Sequence, residues 1–259
     1  MTVIIIPARY ASTRYPGKPL VQLRDRNGVS KSLIQRSWET AMAVSGVDAV
    51  YVATDDERIE TASRAFGAEV VMTSETARNG TERCAEAVDV LGLTSDIVVN
   101  LQGDAPLTPP WFVEALIEAM QADGQTDVAT PVLRCDLETY TNFVTDRQNG
   151  RVGGTTAVFD NTMRALYFSK EVVPYLAKPP AAGQLVPVFH HVGVYAYRPQ
   201  ALLDYAGFAE GPLEKLEGLE QLRFMENGRH VSCVEVDARG RLFWELNNPV
   251  DVERIEAVL

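Results

Sequence analysis

Val3-Ile4-Ile5-Ile6-Pro7-Ala8-Arg9-Tyr10-Ala11-Ser12-Thr13-Arg14-Tyr15-Pro16-Gly17-Lys18-Pro19-Leu20 opens the chain with an apolar run followed by a cationic loop. The β-branched run from Val3 to Ile6 reads as a buried first strand. Pro7 ends it, because proline has no N–H to give to a sheet ladder. The loop beyond is made of small residues and carries Arg9, Arg14 and Lys18. Small residues let a polyanion approach the backbone N–H groups, and spaced cations neutralise it. Such a loop suits a triphosphate; a solvated basic loop is the other reading. The dinucleotide fingerprint G-x-G-x-x-G is absent, and Gly17-Lys18 is followed by Pro19 where a Walker loop needs Ser or Thr.

Working outward, the chain alternates helix and strand. A helix is expected over Ser32–Ser45, a second buried strand over Ala49–Ala53 ending at Thr54-Asp55, a helix from Glu57 to Gly67, and a short strand over Glu69–Met72. This spacing predicts right-handed crossovers and a parallel sheet, with ligands at the carboxyl ends of its strands. Asn79-Gly80-Thr81 starts a helix that runs through about Leu91. Free N–H groups there favour an anion or a pyrimidine carbonyl, or the turn is simply a helix cap. Ile97–Leu101 is a fourth buried strand running into Gln102-Gly103-Asp104-Ala105-Pro106. A carboxylate at a strand's carboxyl end, beside a glycine, suits a nucleotide-bound Mg²⁺; a turn aspartate is the alternative. A helix over Trp111–Met120 and a strand over Asp127–Leu133 follow.

From Cys135 to Gly154 the sequence is polar and irregular, with no interpretable motif. Pro174–Pro187 reads as a surface excursion or dimer arm. His190–Arg198 is expected to be one strand, with His191, Gly193, Tyr195 and Tyr197 on one face. Pro212–Arg223 reads as one helix with Leu213, Leu216 and Leu219 in the core and Glu214 and Glu217 solvated. Val231–Val236 and Arg241–Leu246 read as strands, and Asn248 as the cap of a last helix.

The net charge of −11 argues against nucleic-acid and anionic-membrane partners, so an anionic substrate needs a local cationic pocket. Three scattered cysteines suit reduced thiols, and no apolar run approaches 18 residues, so a cytoplasmic protein is expected.

Several motifs resemble those of the CMP-Kdo synthetases (3-deoxy-manno-octulosonate cytidylyltransferases), a branch of the sugar nucleotidyltransferases. They are PARYASTRYPGKPL (with Tyr15 in place of leucine), Asn79-Gly80-Thr81-Glu82-Arg83, Gln102-Gly103-Asp104-Ala105-Pro106, Ala165-Leu166-Tyr167-Phe168-Ser169-Lys170, His191-Val192-Gly193-Val194-Tyr195-Ala196-Tyr197-Arg198 and the segment ending Leu219-Glu220-Gln221-Leu222-Arg223. The resemblance spans nearly the whole chain. It implies an α/β fold, a Rossmann-like mixed, mostly parallel sheet flanked by helices, in a single domain over 1–259. Within it, 135–215 forms a less regular acceptor and dimer region.

The implied reaction joins CTP to an acidic acceptor, first of all Kdo, giving a CMP conjugate and pyrophosphate in a homodimer. Arg14, Lys18 and Asp104 take the catalytic places. Pro7, Ala8, Arg9, Ser12, Thr54, Asp55, Asn79, Gly80, Thr81, Arg83, Gln102 and Gly103 take nucleotide places. Gln102, His191, Tyr195, Glu220 and Gln221 take acceptor places, and Asp104 and Asn247 hold Mg²⁺. The family pattern has an acidic residue at Ala105, a lysine at Thr156 and a metal-binding aspartate at Asn247. These departures leave open an amino-Kdo, another nonulosonic acid or a phosphonate as acceptor, or a catalytically weak CTP- or CMP-binding regulator. A Rossmann dehydrogenase is disfavoured by the missing glycine fingerprint.

Overall fold

A computed structural model describes residues 1–11, 15–241, 246 and 248–259. Strand β1 (Thr2–Ala8) has a parallel neighbour on each side, β4 (Ala49–Thr54) and β6 (Ile97–Leu101), and is buried along its whole length, with Val3 and Ile5 in one apolar cluster and Ile4 and Ile6 in another. A strand covered on both faces has no use for polar alternation, which explains the unbroken Val-Ile-Ile-Ile run. β5 (Glu69–Met72) extends this parallel half beyond β4. A small hairpin, β2 (Gln22–Arg24) and β3 (Ser30–Ser32), follows the first loop. Helices α1 (Leu33–Met42), α2 (Glu57–Ala65) and α3 (Gly80–Leu91) make the crossovers. Ser32, Asp56 and Asn79 cap them, each side chain accepting a first-turn N–H.

Past β6 the sheet changes character. β11 (Val194–Tyr197) pairs antiparallel with β6 and with β7 (Val128–Arg134), and β12 (Val231–Glu235) runs parallel to β7. β10 (Phe189–His191) also pairs with β7 and leads to β8 (Thr156–Phe159) and β9 (Ala165–Ser169). Among the described residues, ten strands form this sheet. Following the pairings, seven of them (β1, β4, β5, β6, β7, β8 and β12) run one way and three (β9, β10 and β11) the other. The expected mixed, mostly parallel α/β sheet is therefore the architecture observed. Two apolar clusters cover its two faces. One includes Ile5, Val98, Tyr197 and Phe224; the other includes Ile4, Ile6, Phe112 and Val194.

The remaining helices are α4 (Pro110–Ala122), α5 (Leu137–Gln148), α6 (Pro199–Gly207), α7 (Pro212–Glu217), α8 (Leu222–Glu226) and α9 (Asp251–Glu256). Helix α5 corrects the expectation of irregular chain over Cys135–Gly154. Its cap is Asp136, whose side chain accepts from the Thr139 N–H at 2.7 Å, and Phe143 is its one buried side chain. A single apolar anchor leaves no periodicity to read. The Pro174–Pro187 stretch has no regular element, yet Val186 is buried beside Phe143, Cys135 and Val188.

The His190–Arg198 strand is broken between His191 and Val194. The Thr130 hydroxyl from β7 sits under the break, 2.9 Å from the Val194 carbonyl and 3.2 Å from the Val192 carbonyl. The single helix expected over Pro212–Arg223 is two, because Gly218 leaves the first with φ +62°. Leu216 is 83% exposed rather than core, and Glu214 is 7% exposed rather than solvated. The expected strand Arg241–Leu246 falls largely outside the described residues. No described helix is long and apolar enough to cross a membrane.

Candidate active site

The carboxyl ends of β1, β4 and β6 lie side by side: Pro7 pairs with Ala53 and Ala8 with Thr54. Gly103, just past β6, lies so close that a Cβ there would sit 2.9 Å from the Pro7 carbonyl oxygen. Only glycine lets the Gln102–Asp104 turn close onto the end of β1. Lys18 approaches from the other side. Gly17, at φ +70°, donates its N–H to the Tyr10 carbonyl and turns the chain into a single 3₁₀ turn, Lys18–Leu20, with Pro19 buried beneath. The Lys18 ammonium consequently meets the Asp104 carboxylate at 2.6 Å, both partly exposed. This pair sets a cation beside a carboxylate at the carboxyl edge of the sheet, a combination able to bind a phosphate chain and its counter-ion. Arg9 is exposed, and its guanidinium reaches the Arg78 carbonyl at 3.4 Å. Ser12, Arg14 and Asn247 lie outside the described residues.

The first turn of α3 faces this edge. The Asn79 carbonyl oxygen of its side chain accepts from the Glu82 N–H at 2.8 Å, and its Nδ2 donates to the Tyr205 hydroxyl at 3.0 Å. A Cβ on Gly80 would come within 2.8 Å of Gln102 Nε2, so Gly80 keeps α3 close to the β6 turn. The Thr81 N–H donates to Glu220 Oε2 at 3.2 Å, its hydroxyl lies 2.9 Å from the Tyr197 hydroxyl, and Gln102 donates to Glu220 Oε1 at 3.3 Å. Arg83 and Asp55, both named as nucleotide contacts, pair with each other at 3.0 Å, and Arg83 also donates to the Thr73 hydroxyl. Arg83 is buried, so its guanidinium braces β4 against α3 and is not presented on an exposed helix face.

The acceptor candidates form a second, adjoining strip. Tyr195 donates its hydroxyl to Gln221 Oε1 at 3.2 Å, and the His191 and Tyr195 ring centroids are 5.6 Å apart. Gln221 Nε2 is buried and has no hydrogen-bond partner among the described residues. That donor is available to a polar ligand. His191 is buried, which lowers its pKa to about 3 and keeps the ring neutral. Its Nε2 lies 2.8 Å from the Thr130 hydroxyl. That hydroxyl has one proton, which it gives to the Val194 carbonyl, so His191 donates from Nε2 and retains Nδ1 as an acceptor. Burial also pushes the Glu220 carboxyl above its ordinary range.

Three buried residues of this network escape a sequence reading. Tyr197 shares the alternating face of Tyr195, and their rings stack at 5.9 Å; the periodicity was the available signal. Tyr205 and Arg223 lie on helices whose packing no local pattern reveals.

Residues 3–232 match a family model described as cytidylyltransferase. The chain belongs to the cytidylyltransferases. This cytidylyltransferase is 44% identical over 255 residues to the 3-deoxy-manno-octulosonate cytidylyltransferase of Maricaulis maris (strain MCS10), covering 98% of this chain and 95% of the relative. It is 40% identical over 258 residues to an 8-amino-3,8-dideoxy-manno-octulosonate cytidylyltransferase of Shewanella pealeana (strain ATCC 700345 / ANG-SQ1), covering 99% and 97%. Among solved structures it superposes on CMP:2-keto-3-deoxy-manno-octonic acid synthetase complexed with CTP with a TM-score of 0.84. That match is at 36% identity and covers 99% of this chain and 97% of the other. The cytidylyltransferase thus stands with the CMP-Kdo synthetases, and its activity is nucleotidyl transfer.

Among the described residues no cluster of three or more His, Cys, Asp or Glu is placed to hold a metal. Asp104 offers one carboxylate at the sheet edge, which fits a hard cation shared with substrate phosphates, since Mg²⁺ is commonly held that way.

Proposed function

We propose that the enzyme transfers CMP from CTP to Kdo and releases pyrophosphate. The observation that carries this reading is the adjacency of two subsites. The Lys18–Asp104 pair lies at the edge where β1 and β6 end, and the strip of Gln102, Tyr195, Glu220 and Gln221 is joined to it through Gln102. The triphosphate lies along Pro7–Lys18, including Arg9, Ser12 and Arg14, and the cytosine against Asn79–Thr81. Thr54 and the Asp55–Arg83 pair support that floor. The anomeric hydroxyl of the acceptor attacks the α-phosphorus in line, and the bond to pyrophosphate breaks as the hydroxyl loses its proton. Lys18 stabilises the charge that grows on the phosphates and on the leaving pyrophosphate. Asp104, with Asn247, would hold Mg²⁺, which when bound neutralises phosphate charge. Neutral His191, Tyr195 and Gln221 orient the acceptor's hydroxyls through hydrogen bonds.

A pyrophosphate-release assay with CTP and a panel of acceptors tests this. Turnover is expected with Kdo above that with its 8-amino analogue, with other nonulosonic acids or with phosphonates; CTP-dependent release with none of them would refute it. We also place the enzyme in the cytoplasm as a homodimer formed through 135–215, where Tyr175 and Leu185 are 87% and 79% exposed. Sedimentation velocity is expected to give twice the mass of one chain.

A further inference from the structure

The guanidinium of Arg223 is fully buried, and none of the chemistry assigned above uses it. Its fork binds Glu214 of α7 through two hydrogen bonds of 2.6 Å, and its third nitrogen reaches Glu82 of α3 at 2.8 Å. Its plane lies over the Tyr205 ring of α6, 4.3 Å from the centroid. The Tyr205 hydroxyl then accepts from Asn79 Nδ2 at 3.0 Å and donates to the Glu220 carbonyl at 3.3 Å. One side chain therefore ties together the helix start assigned to the base and the turn assigned to the acceptor. Glu82 strengthens the tie, because its own N–H is capped by Asn79. Burying a whole ion pair this far out of water contributes little net stability compared with apolar side chains in place of both partners. What it adds is a fixed geometry among four helices, α3, α6, α7 and α8.

We propose that Arg223, acting through Tyr205, is a positioning residue that holds the nucleotide turn at Asn79–Thr81 and the acceptor turn at Glu220–Gln221 in mutual register. The inference rests on the functional reading above. Tyr205 adds to the direct bond from the Thr81 N–H to the Glu220 carboxylate, because its hydroxyl also touches both turns while Arg223 fixes the ring. Neither residue touches the reacting atoms. Loss of the coupling should therefore appear in the binding of both substrates together and less in the chemical step.

Tyr205→Phe is the decisive variant, since it keeps the ring under the guanidinium and removes only the hydroxyl. KM for CTP and KM for Kdo are each expected to rise roughly five- to tenfold, the loss of about one hydrogen bond, with kcat changed less. Arg223→Lys, which keeps the charge without the fork, is expected to fall between wild type and Arg223→Met in both KM values. Should Arg223→Met fail to fold, Tyr205→Phe and Arg223→Lys still decide. Unchanged KM values in Tyr205→Phe, with only a lowered melting temperature, would reduce these residues to structural supports and overturn the inference alone. Absence of wild-type turnover with CTP and Kdo would overturn the functional reading, and this inference with it.

Discussion

Lys18 and Asp104 are 86 residues apart in the chain and 2.6 Å apart in space, and the chemistry is argued from that contact. Both side chains are partly exposed, so the pair contributes only about 1 kcal/mol or less to stability. Its value lies in placing opposite charges at the mouth of the site. Asp104→Asn is therefore expected to fold with a nearly unchanged melting temperature while pyrophosphate release falls at least about a hundredfold. Equal loss of fold and activity would reverse that reading. Asp104 and Lys18 were legible because each sits in a short motif at the end of a run whose burial the sequence announces. Arg83 was legible as important but not in its role. Its buried pairing with Asp55 depends on the β4–α3 packing, which a linear sequence does not display.

At the scale of elements, the broken strand β10–β11 carries a pH dependence. His191 is buried neutral with its pKa lowered to about 3, whereas in the unfolded chain it takes a proton near 6.5. The unfolded state therefore binds more protons between these values. Stability from this group is complete above about pH 6.5 and is lost as pH falls toward 3, by about 1.4 kcal/mol per pH unit. Thermal melts of wild type and His191→Gln between pH 7 and 4 are expected to diverge, the wild type falling more steeply; parallel curves would contradict this. The break itself was hidden. Alternation predicts a continuous strand through Gly193, whereas the Val192 carbonyl accepts from the Val194 N–H at 2.7 Å and the Val194 carbonyl from the Thr130 hydroxyl arriving from β7. Helix α5 was hidden for a related reason, since Phe143 alone gives it a buried side, whereas β1, β4 and β6 announced themselves by apolar runs.

For the whole molecule, the sheet divides the labour. Its parallel half, β5-β4-β1-β6, ends in the loops assigned to CTP, and the antiparallel strand β11 carries the acceptor candidate Tyr195 up against β6. Helices α3, α6, α7 and α8 close over the junction and are locked by the buried Arg223–Glu214 pair. Removing the guanidinium leaves Glu214 buried and unpaired, so Arg223→Met is expected to cost about 3–5 kcal/mol in urea unfolding. A change below about 1 kcal/mol would mean that the site relaxes or fills with water. The parallel half could be foreseen from strand–helix alternation; the closing helices could not, because their register is set by contacts between segments more than a hundred residues apart, such as Glu82 with Arg223. The central claim is that a cation at the end of β1 grips the triphosphate, and the most direct test is the steady-state rate of pyrophosphate release from CTP and Kdo by Lys18→Glu. Loss of nearly all turnover in a protein with wild-type circular dichroism is the expected result; turnover equal to wild type would contradict the account.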